Sequence, residues 1–206
     1  RHHIFEESDR YKIAVLLKNT AFNKQEILTN YIRPLNSMGV VSSDLIAFTL
    51  EYNDQGKAPV GFVKAYLGNL LPALDSVGVT HLYVTDATYF KVLTKQTRAE
   101  PHFGYVMPCK VEGYEHLSVV LGLNYQSMIY NPELQAKLTL SLDTLASVIN
   151  GSYQELGVGI IHSAQYPKTV QEIALALESL HQYPELTADI EAFSLRFNEA
   201  GIGTCA

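Results

Sequence analysis

The sequence predicts an α/β protein: a three-layer domain around a parallel sheet, followed by one helix and a short hairpin. Short apolar runs of strand length alternate with amphipathic helical segments over residues 11–150, as in strands joined by crossover helices. The chain has 206 residues, of which 47% are hydrophobic, enough for one sizeable core. After residue 168 the alternation stops and one helix precedes two strand-like runs.

Within the first domain, each element is predicted from apolar spacing and flanking polar residues. Asn23 is expected to cap the helix predicted at residues 24–37, because an asparagine side chain accepts hydrogen bonds from the first free N–H groups of a helix. Pro132 lies near the first turn of the last helix, where proline is tolerated. The predicted strands are residues 11–17, 44–52, 81–85, 105–108 and 117–121, and the predicted helices are 24–37, 61–77, 88–97 and 132–150.

Three regions follow from this pattern. Residues 1–150 form an accessory α/β domain, residues 151–167 form a connector with a short strand at 158–162, and residues 168–206 begin another domain. The last region contains a helix at 169–182, strands at 186–195 and 202–206, and a turn at 198–201. A hairpin that ends on apolar residues leaves an unpaired edge, so we expect the natural polypeptide to continue past Ala206. No element is assigned to Arg1, His2 and His3.

Composition excludes several classes of protein. The net charge of −6 opposes binding of DNA by bulk positive charge. Neither an apolar run long enough for a transmembrane helix nor a signal-peptide pattern is present, so no membrane partner is expected. Cys109 and Cys205 form neither a metal motif nor a disulfide framework, which favours a reducing cytoplasm.

The residues Asp189 and Glu191 are the strongest chemical signal in the sequence. They are separated by Ile190 inside an apolar run, so on a strand their carboxylates lie side by side on one face. Two adjacent carboxylates repel, and a divalent cation with hard oxygen ligands, Mg²⁺ or Mn²⁺, relieves the repulsion. The alternative interpretation is an ordinary solvated strand face.

The surroundings of this pair resemble the first motif of the DEDD-type 3′–5′ exonucleases. A Tyr183-Pro184 break precedes Asp189-Ile190-Glu191, and Gly201-Ile202-Gly203 supplies small residues on the next strand. The same stretch is similar to the start of the RNase H-like proofreading domain in bacteriophage DNA polymerases of the pol I-like family A. The resemblance implies that Asp189 and Glu191 are catalytic metal ligands, with Asp189 the shared one.

The resemblance also has implications for the parent protein, the longer polypeptide of which this chain would be a part. It would be a phage replicative DNA polymerase that uses a two-metal Mg²⁺ or Mn²⁺ site, binds DNA and phage replication proteins, and works in the cytoplasm of the infected host cell. The remaining metal ligands of the family do not occur in these residues and would follow Ala206. This fragment alone is therefore expected to be inactive.

Residues 11–150 resemble the uracil-DNA glycosylase superfamily in their order of strands and helices. The strand and helix at 81–95, the strand at 105–108 and the loop from Asn124 carry the resemblance. The family's catalytic histidine is replaced by Asn124 or Tyr125, and the first loop lacks the acidic residue that activates water, although Asn19 or Asn23 can place a water. The resemblance implies a degenerate, non-catalytic module that binds DNA or a replication partner.

A weaker nucleic-acid signal lies in the middle of this domain. Lys91, Lys95 and Arg98 have helical spacing and would form a basic stripe on one helix face, and Tyr125 would stack on bases. The alternative is a solvated helix face and ordinary core tyrosines. Cys109 is expected to be a small core residue.

Two other functions stay open from the sequence. One is a free-standing glycosylase-like enzyme that excises damaged bases, which would need an intact base pocket. The other is a non-enzymatic interaction module in which Asp189 and Glu191 are merely exposed.

Overall fold

The computed structural model describes residues 1–158, 165–187, 190–192 and 202–205. The chain divides into two compact units, Arg1–Val158 and Gly159–Ala206. The first unit, called the sheet domain below, extends past residue 150: the Tyr153 hydroxyl accepts a hydrogen bond from the Val106 N–H at 3.2 Å. The division falls inside the predicted connector.

The sheet domain contains a six-stranded mixed sheet in the order β1-β3-β2-β4-β6-β5. The four central strands are parallel, as predicted, whereas both edge strands are antiparallel to their neighbours. The prediction of a parallel strand at 105–108 is therefore wrong in direction. Only a short loop joins this strand to the next, and a parallel pair needs a longer crossover. The strands are β1 (His2–Ile4), β2 (Ile13–Lys18), β3 (Leu45–Leu50), β4 (His81–Val84), β5 (Val106–Pro108) and β6 (Ser118–Leu121).

The central strand β2 is buried on both faces, which confirms the three-layer arrangement. Ala14 and Leu16 pack into one hydrophobic core with residues of the third and fourth helices. Ile13, Val15 and Leu17 pack into a second core with the first and last helices of the domain. Strands covered on both faces have continuous rather than alternating apolar sequences, and β2 follows this rule.

Helices cover both faces of the sheet. Asn23 caps α1, as predicted, because its side-chain oxygen accepts hydrogen bonds from the Gln25 and Glu26 N–H groups. A π-helical turn at Leu28–Ile32 continues this helix into α2, in which Pro34 removes one backbone donor. The helices are α1 (Lys24–Ile27), α2 (Arg33–Ser37), α3 (Val60–Ser76), α4 (Ala87–Thr94), α5 (Ser127–Tyr130) and α6 (Gln135–Ile149).

Two helices are shorter than predicted. The predicted helix at 88–97 ends at Thr94, since Lys95 adopts a left-handed conformation with φ of 55°. The predicted helix at 132–150 begins with a 3-10 turn at Pro132–Leu134 before α6. Local backbone geometry, rather than apolar spacing, sets both boundaries.

The edge strand β1 has no counterpart in the sequence analysis. His2 lies opposite Phe48 of β3, and the His3 ring stacks on Phe22 with 4.5 Å between centroids. Burial, followed by the nearby Lys24 and Arg1 charges, lowers the pKa of His3. A strand of three residues is too short to show a periodicity from which it could be recognised.

The second unit contains a helix and a two-stranded antiparallel sheet. They are α7 (Val170–Leu180), β7 (Ile190–Ala192) and β8 (Ile202–Cys205). The predicted strand at 158–162 lies mostly outside the described residues, and the predicted turn at 198–201 lies wholly outside them. None of the helices described has the length and apolar character needed to cross a lipid bilayer.

Candidate functional site

The two predicted metal ligands belong to the second unit, and the structure describes one of them. Asp189 lies outside the described residues, whereas Glu191 is the middle residue of β7 and lies opposite Thr204 of β8. The register shifts directly after Glu191, since Ala192 pairs with Ile202. Such irregularities change the direction of a strand and are frequent beside active sites.

No group of three or more His, Cys, Asp or Glu side chains is arranged to hold a metal ion among the residues described. A Mg²⁺ ion takes about six oxygen ligands, several of them waters. Asp189 and Glu191 are the right chemical type for such an ion, but two carboxylates are too few for a two-metal site.

The predicted basic stripe does not lie on one helix face. Lys91 is on α4, but Lys95 and Arg98 follow the end of that helix, so the expected helical spacing is absent. Lys95 adopts a left-handed conformation at the end of the helix. Arg98 lines the same cleft as Lys91, whereas Lys95 does not. The carboxyl-edge cleft, as we call it, has a volume of about 620 Å³.

The carboxyl-edge cleft lies where β4 and β6 end. Thr85 directly follows β4, and Leu121, Gly122 and Leu123 form the end of β6 and the residues after it. Crevices outside the carboxyl ends of parallel strands are the usual ligand sites of α/β sheets. The apolar part of the lining is completed by Phe103 and Leu134.

The charges in this cleft are mostly positive. Its lining includes Lys91, Arg98 and Lys137 but only one acidic residue, Glu100. Glu100 forms an ion pair with Lys137 at the exposed rim. No described carboxylate lies within ion-pair distance of Lys91 or Arg98. The cleft is therefore a local positive site in a chain of net charge −6.

Lys137 also contacts the aromatic part of the cleft. Its ammonium nitrogen lies 5.4 Å from the centroid of the Phe103 ring, within the range of a cation–π interaction. Because Lys137 is in the first turn of α6, the partial positive charge of that helix terminus adds to its own. Polar, charged and aromatic groups thus converge on one volume.

Gly122 lines this cleft and packs closely against the ring of Tyr83. A Cβ atom at Gly122 would lie 2.3 Å from the Tyr83 ring, so only glycine permits this packing. The Tyr83 hydroxyl lies 2.7 Å from the Ser141 Oγ in the core, and burial raises the pKa of Tyr83 well above its usual value. The tyrosine is neutral and ties β4 to α6.

A second polar cluster lies at the ends of β2 and β3. The Tyr52 hydroxyl donates to Asp86 Oδ2 at 2.7 Å, while Asp86 Oδ1 accepts from the Thr88 and Tyr89 N–H groups. The Lys18 ammonium nitrogen lies 4.5 Å from the Tyr52 ring centroid. Burial, and then Asp86, raise the pKa of Tyr52. With both oxygens engaged, Asp86 caps α4 and orients Tyr52.

The loop after β6, which carries the glycosylase resemblance, is held by internal hydrogen bonds. Asn124 Oδ1 accepts from the Gln126 N–H at 3.0 Å. The Tyr31 hydroxyl donates to the Leu123 carbonyl and accepts from the Tyr125 N–H, both at 2.8 Å. The Tyr125 ring packs edge-on against Tyr31, so it is a partly buried packing residue rather than an open stacking surface.

Two other residues singled out from the sequence, Asn23 and Cys109, have structural roles. Asn23 caps α1, which uses the side-chain oxygen that was expected to hold a water. Cys109 is fully buried, as predicted, and burial raises the pKa of its thiol. Neither group is placed for catalysis.

Sequence reasoning missed Glu100, Phe103 and Lys137. They come from a 3-10 turn, the residue after it and α6, so no local motif links them. The rule that ligands bind at carboxyl ends of parallel strands indicates the location, but it does not identify these side chains.

A scan against protein-family models and a search of curated proteins found no match to this chain.

Proposed function

We propose that this chain is the N-terminal part of a bacteriophage DNA polymerase of the pol I-like family A. In this proposal the sheet domain is an accessory module, and residues 168–206 begin an RNase H-like 3′–5′ proofreading exonuclease. The observation that carries it is the Asp189-Ile190-Glu191 triplet, whose last two residues lie on a strand paired in an antiparallel hairpin. The Gly-containing partner strand adds support.

The two carboxylates would act as ligands of Mg²⁺ or Mn²⁺. Bound metal ions supply stabilisation of the attacking and leaving oxygens in phosphodiester hydrolysis. Asp189 would be the shared ligand and Glu191 the second, with further ligands from residues after these 206. The parent would extend primers from deoxynucleoside triphosphates and remove mismatched 3′ ends, whereas this fragment alone would be inactive.

Metal binding by the fragment tests the local part of the proposal. Mn²⁺ titration followed by electron paramagnetic resonance is expected to show one weak site, lost in Asp189→Asn and weakened in Glu191→Gln. Glu185→Gln removes an exposed charge from the same unit and is the matched control. Equal Mn²⁺ binding by all four proteins would contradict the proposal.

The polypeptide from the complete reading frame tests the enzymatic part. A labelled primer with a mismatched 3′ end is expected to be shortened by the wild-type protein and to be extended but not shortened by Asp189→Asn. Shortening by the variant at the wild-type rate would exclude Asp189 as a metal ligand of the exonuclease.

For the sheet domain we propose a degenerate uracil-DNA glycosylase-like module that binds DNA. The strand order β3-β2-β4-β6, with helices on both faces, supports the proposed fold. The internal hydrogen bonds of Asn124 and the capping role of Asn23 favour a non-catalytic module. Uracil release from a labelled oligonucleotide is the test, and we expect none above background; measurable release would support the enzymatic alternative.

DNA binding would involve Lys91 and Arg98, which line the same cleft, and phage replication proteins would be further partners in the infected host cytoplasm. The DNA contacts are tested by fluorescence anisotropy of a labelled oligonucleotide at several salt concentrations. Lys91→Met and Arg98→Met are each expected to reduce the slope of log affinity against log salt by about one. An unchanged slope in every variant would contradict these contacts.

A further inference from the structure

We propose that the carboxyl-edge cleft binds a single nucleotide, with its phosphate on Lys91, Arg98 and Lys137 and its base against Phe103. The proposal goes beyond the polymerase assignment and does not depend on it. It rests on the geometry of the sheet domain alone, in which charged, aromatic and apolar groups line one volume at the end of two parallel strands.

The charge of the cleft selects an anion. Three cationic side chains and one carboxylate line it, so the cleft has an excess of two positive charges. A phosphate monoester carries between about −1.5 and −2 at neutral pH, which matches this excess. Hydrogen bonds between charged donors and phosphate oxygens are about twice as strong as neutral ones.

The size and the remaining lining select a ligand larger than phosphate. A volume of about 620 Å³ lies within the range of roughly 300–1,000 Å³ found for small-molecule sites. Phe103, Leu121, Leu123 and Leu134 give the cleft an apolar side. A base stacks on an aromatic ring whatever its sequence, so a ligand with one anionic end and one flat end fits both parts.

Glu100 acts as an internal competitor for the phosphate. Its carboxylate is paired with Lys137 at the rim, and its side chain is 69% exposed. Exposed ion pairs contribute little to stability, so Lys137 can exchange the carboxylate for a ligand phosphate at small cost. Removing the charge of Glu100 should therefore tighten binding, an effect that a purely structural ion pair would not produce.

Lys95 supplies a matched control. It is an exposed cation four residues after Lys91, but it does not line the cleft. A diffuse positive surface that binds DNA would use Lys95 as readily as Arg98. A defined nucleotide site would use Arg98 and not Lys95.

The experiment is calorimetric titration of the 206-residue chain with deoxyadenosine 5′-monophosphate at low salt. We expect saturable one-to-one binding, with weaker binding of inorganic phosphate and of deoxyadenosine because each lacks half of the contacts. Arg98→Met and Lys137→Met are expected to weaken binding by about tenfold each. Glu100→Gln is expected to tighten it severalfold, and Lys95→Met to leave it unchanged.

Oligonucleotides distinguish a free nucleotide from the end of a DNA strand. A 5′-phosphorylated octathymidylate that binds more tightly than the mononucleotide, with the same dependence on Arg98, assigns the site to DNA ends. Tighter binding of the mononucleotide assigns it to the free ligand. Both results support the shared phosphate-and-base chemistry.

Three results would overturn the proposal. They are absence of saturable nucleotide binding, binding that Arg98→Met leaves unchanged, and equal loss of affinity in Lys95→Met and Arg98→Met. The thermal midpoint of each variant shows whether it is folded, and the conservative Arg98→Lys is expected to keep part of the affinity. Mn²⁺ binding at Asp189 is measured separately, so failure of one proposal leaves the other standing.

Discussion

Apolar side chains are buried in the sheet domain but exposed on helix α7. Leu16 and Phe90 of the sheet domain are completely buried, whereas Val170 and Leu175 of α7 are 83% and 72% exposed. A helix of eleven residues gains little from its own hydrogen bonds in water. Long-range packing therefore stabilises the sheet domain, whereas α7 relies on local hydrogen bonds at its ends.

Truncation of one core side chain should show the largest difference between the two regions. Phe90→Ala removes a buried ring from α4 and is expected to cost about 3–5 kcal/mol in free energy of unfolding. Leu177→Ala on α7 removes a side chain that is 59% exposed, and is expected to change it by less than about 0.5 kcal/mol. Urea unfolding of the sheet domain, followed by tyrosine fluorescence, measures both.

A second core variant shows whether the loss of stability is typical of buried positions on α4. Leu93→Ala lies one turn from Phe90, is also fully buried, and should cost about 2–5 kcal/mol. If Leu177→Ala destabilised the protein as strongly as these two core variants, the exposed environment of α7 would not hold in solution.

Close packing at Gly122 should give the next largest effect. The added methyl group of Gly122→Ala would meet the Tyr83 ring, which the surrounding core prevents from moving away. Forcing extra volume into a packed core costs about 1–3 kcal/mol. The same change at Gly68, where a Cβ meets nothing within 4 Å, is the control and should be neutral or stabilising.

The sequence predicted the interior of the fold better than its edges. Continuous apolar runs identify β2, β3 and β4, because a strand buried on both faces needs apolar residues at every position. No strand is predicted at the position of the edge strand β1, and β5 is antiparallel rather than parallel to its neighbour. Their pairing depends on the exposed edges of neighbouring strands and on loop length, neither of which leaves a hydrophobic pattern.

The candidate site was predictable only in part. Lys91 and Arg98 attract attention as basic residues, but their expected helical spacing was wrong, and the left-handed turn at Lys95 instead brings them to one cleft. Lys137 is distant in sequence and joins them through the packing of α6. Local spacing detects residues on one element, whereas this cleft is assembled from four segments.

The buried hydroxyl of Tyr83 should contribute less than the packing of its ring. Tyr83→Phe removes the hydrogen bond with Ser141 but keeps the ring, and is expected to cost about 1 kcal/mol. Ser141→Ala should cost a similar amount, and the double variant less than the sum, since both lose the same bond. A strictly additive cycle would mean that the two hydroxyls are not coupled.

The smallest effect is a pH dependence confined to α7. The Glu172 carboxylate accepts hydrogen bonds from the Lys168 and Thr169 N–H groups at 2.8 and 3.1 Å, and these bonds lower its pKa from the usual 4.5. A carboxylate whose pKa is lowered by folding stabilises the folded form above its usual pKa. The stabilisation is lost as pH falls from 4.5 through the lowered value.

Carbon-13 chemical shifts of Ala174 and Ala176 measure this loss at the helix itself. Between about pH 5 and pH 3 they should move towards coil values in the wild type, and much less in Glu172→Gln, which cannot lose a proton. Glu178→Gln is the control in the same helix and should keep the wild-type dependence. If the two variants behaved alike, the hydrogen bonds accepted by the Glu172 carboxylate would not be what stabilises α7.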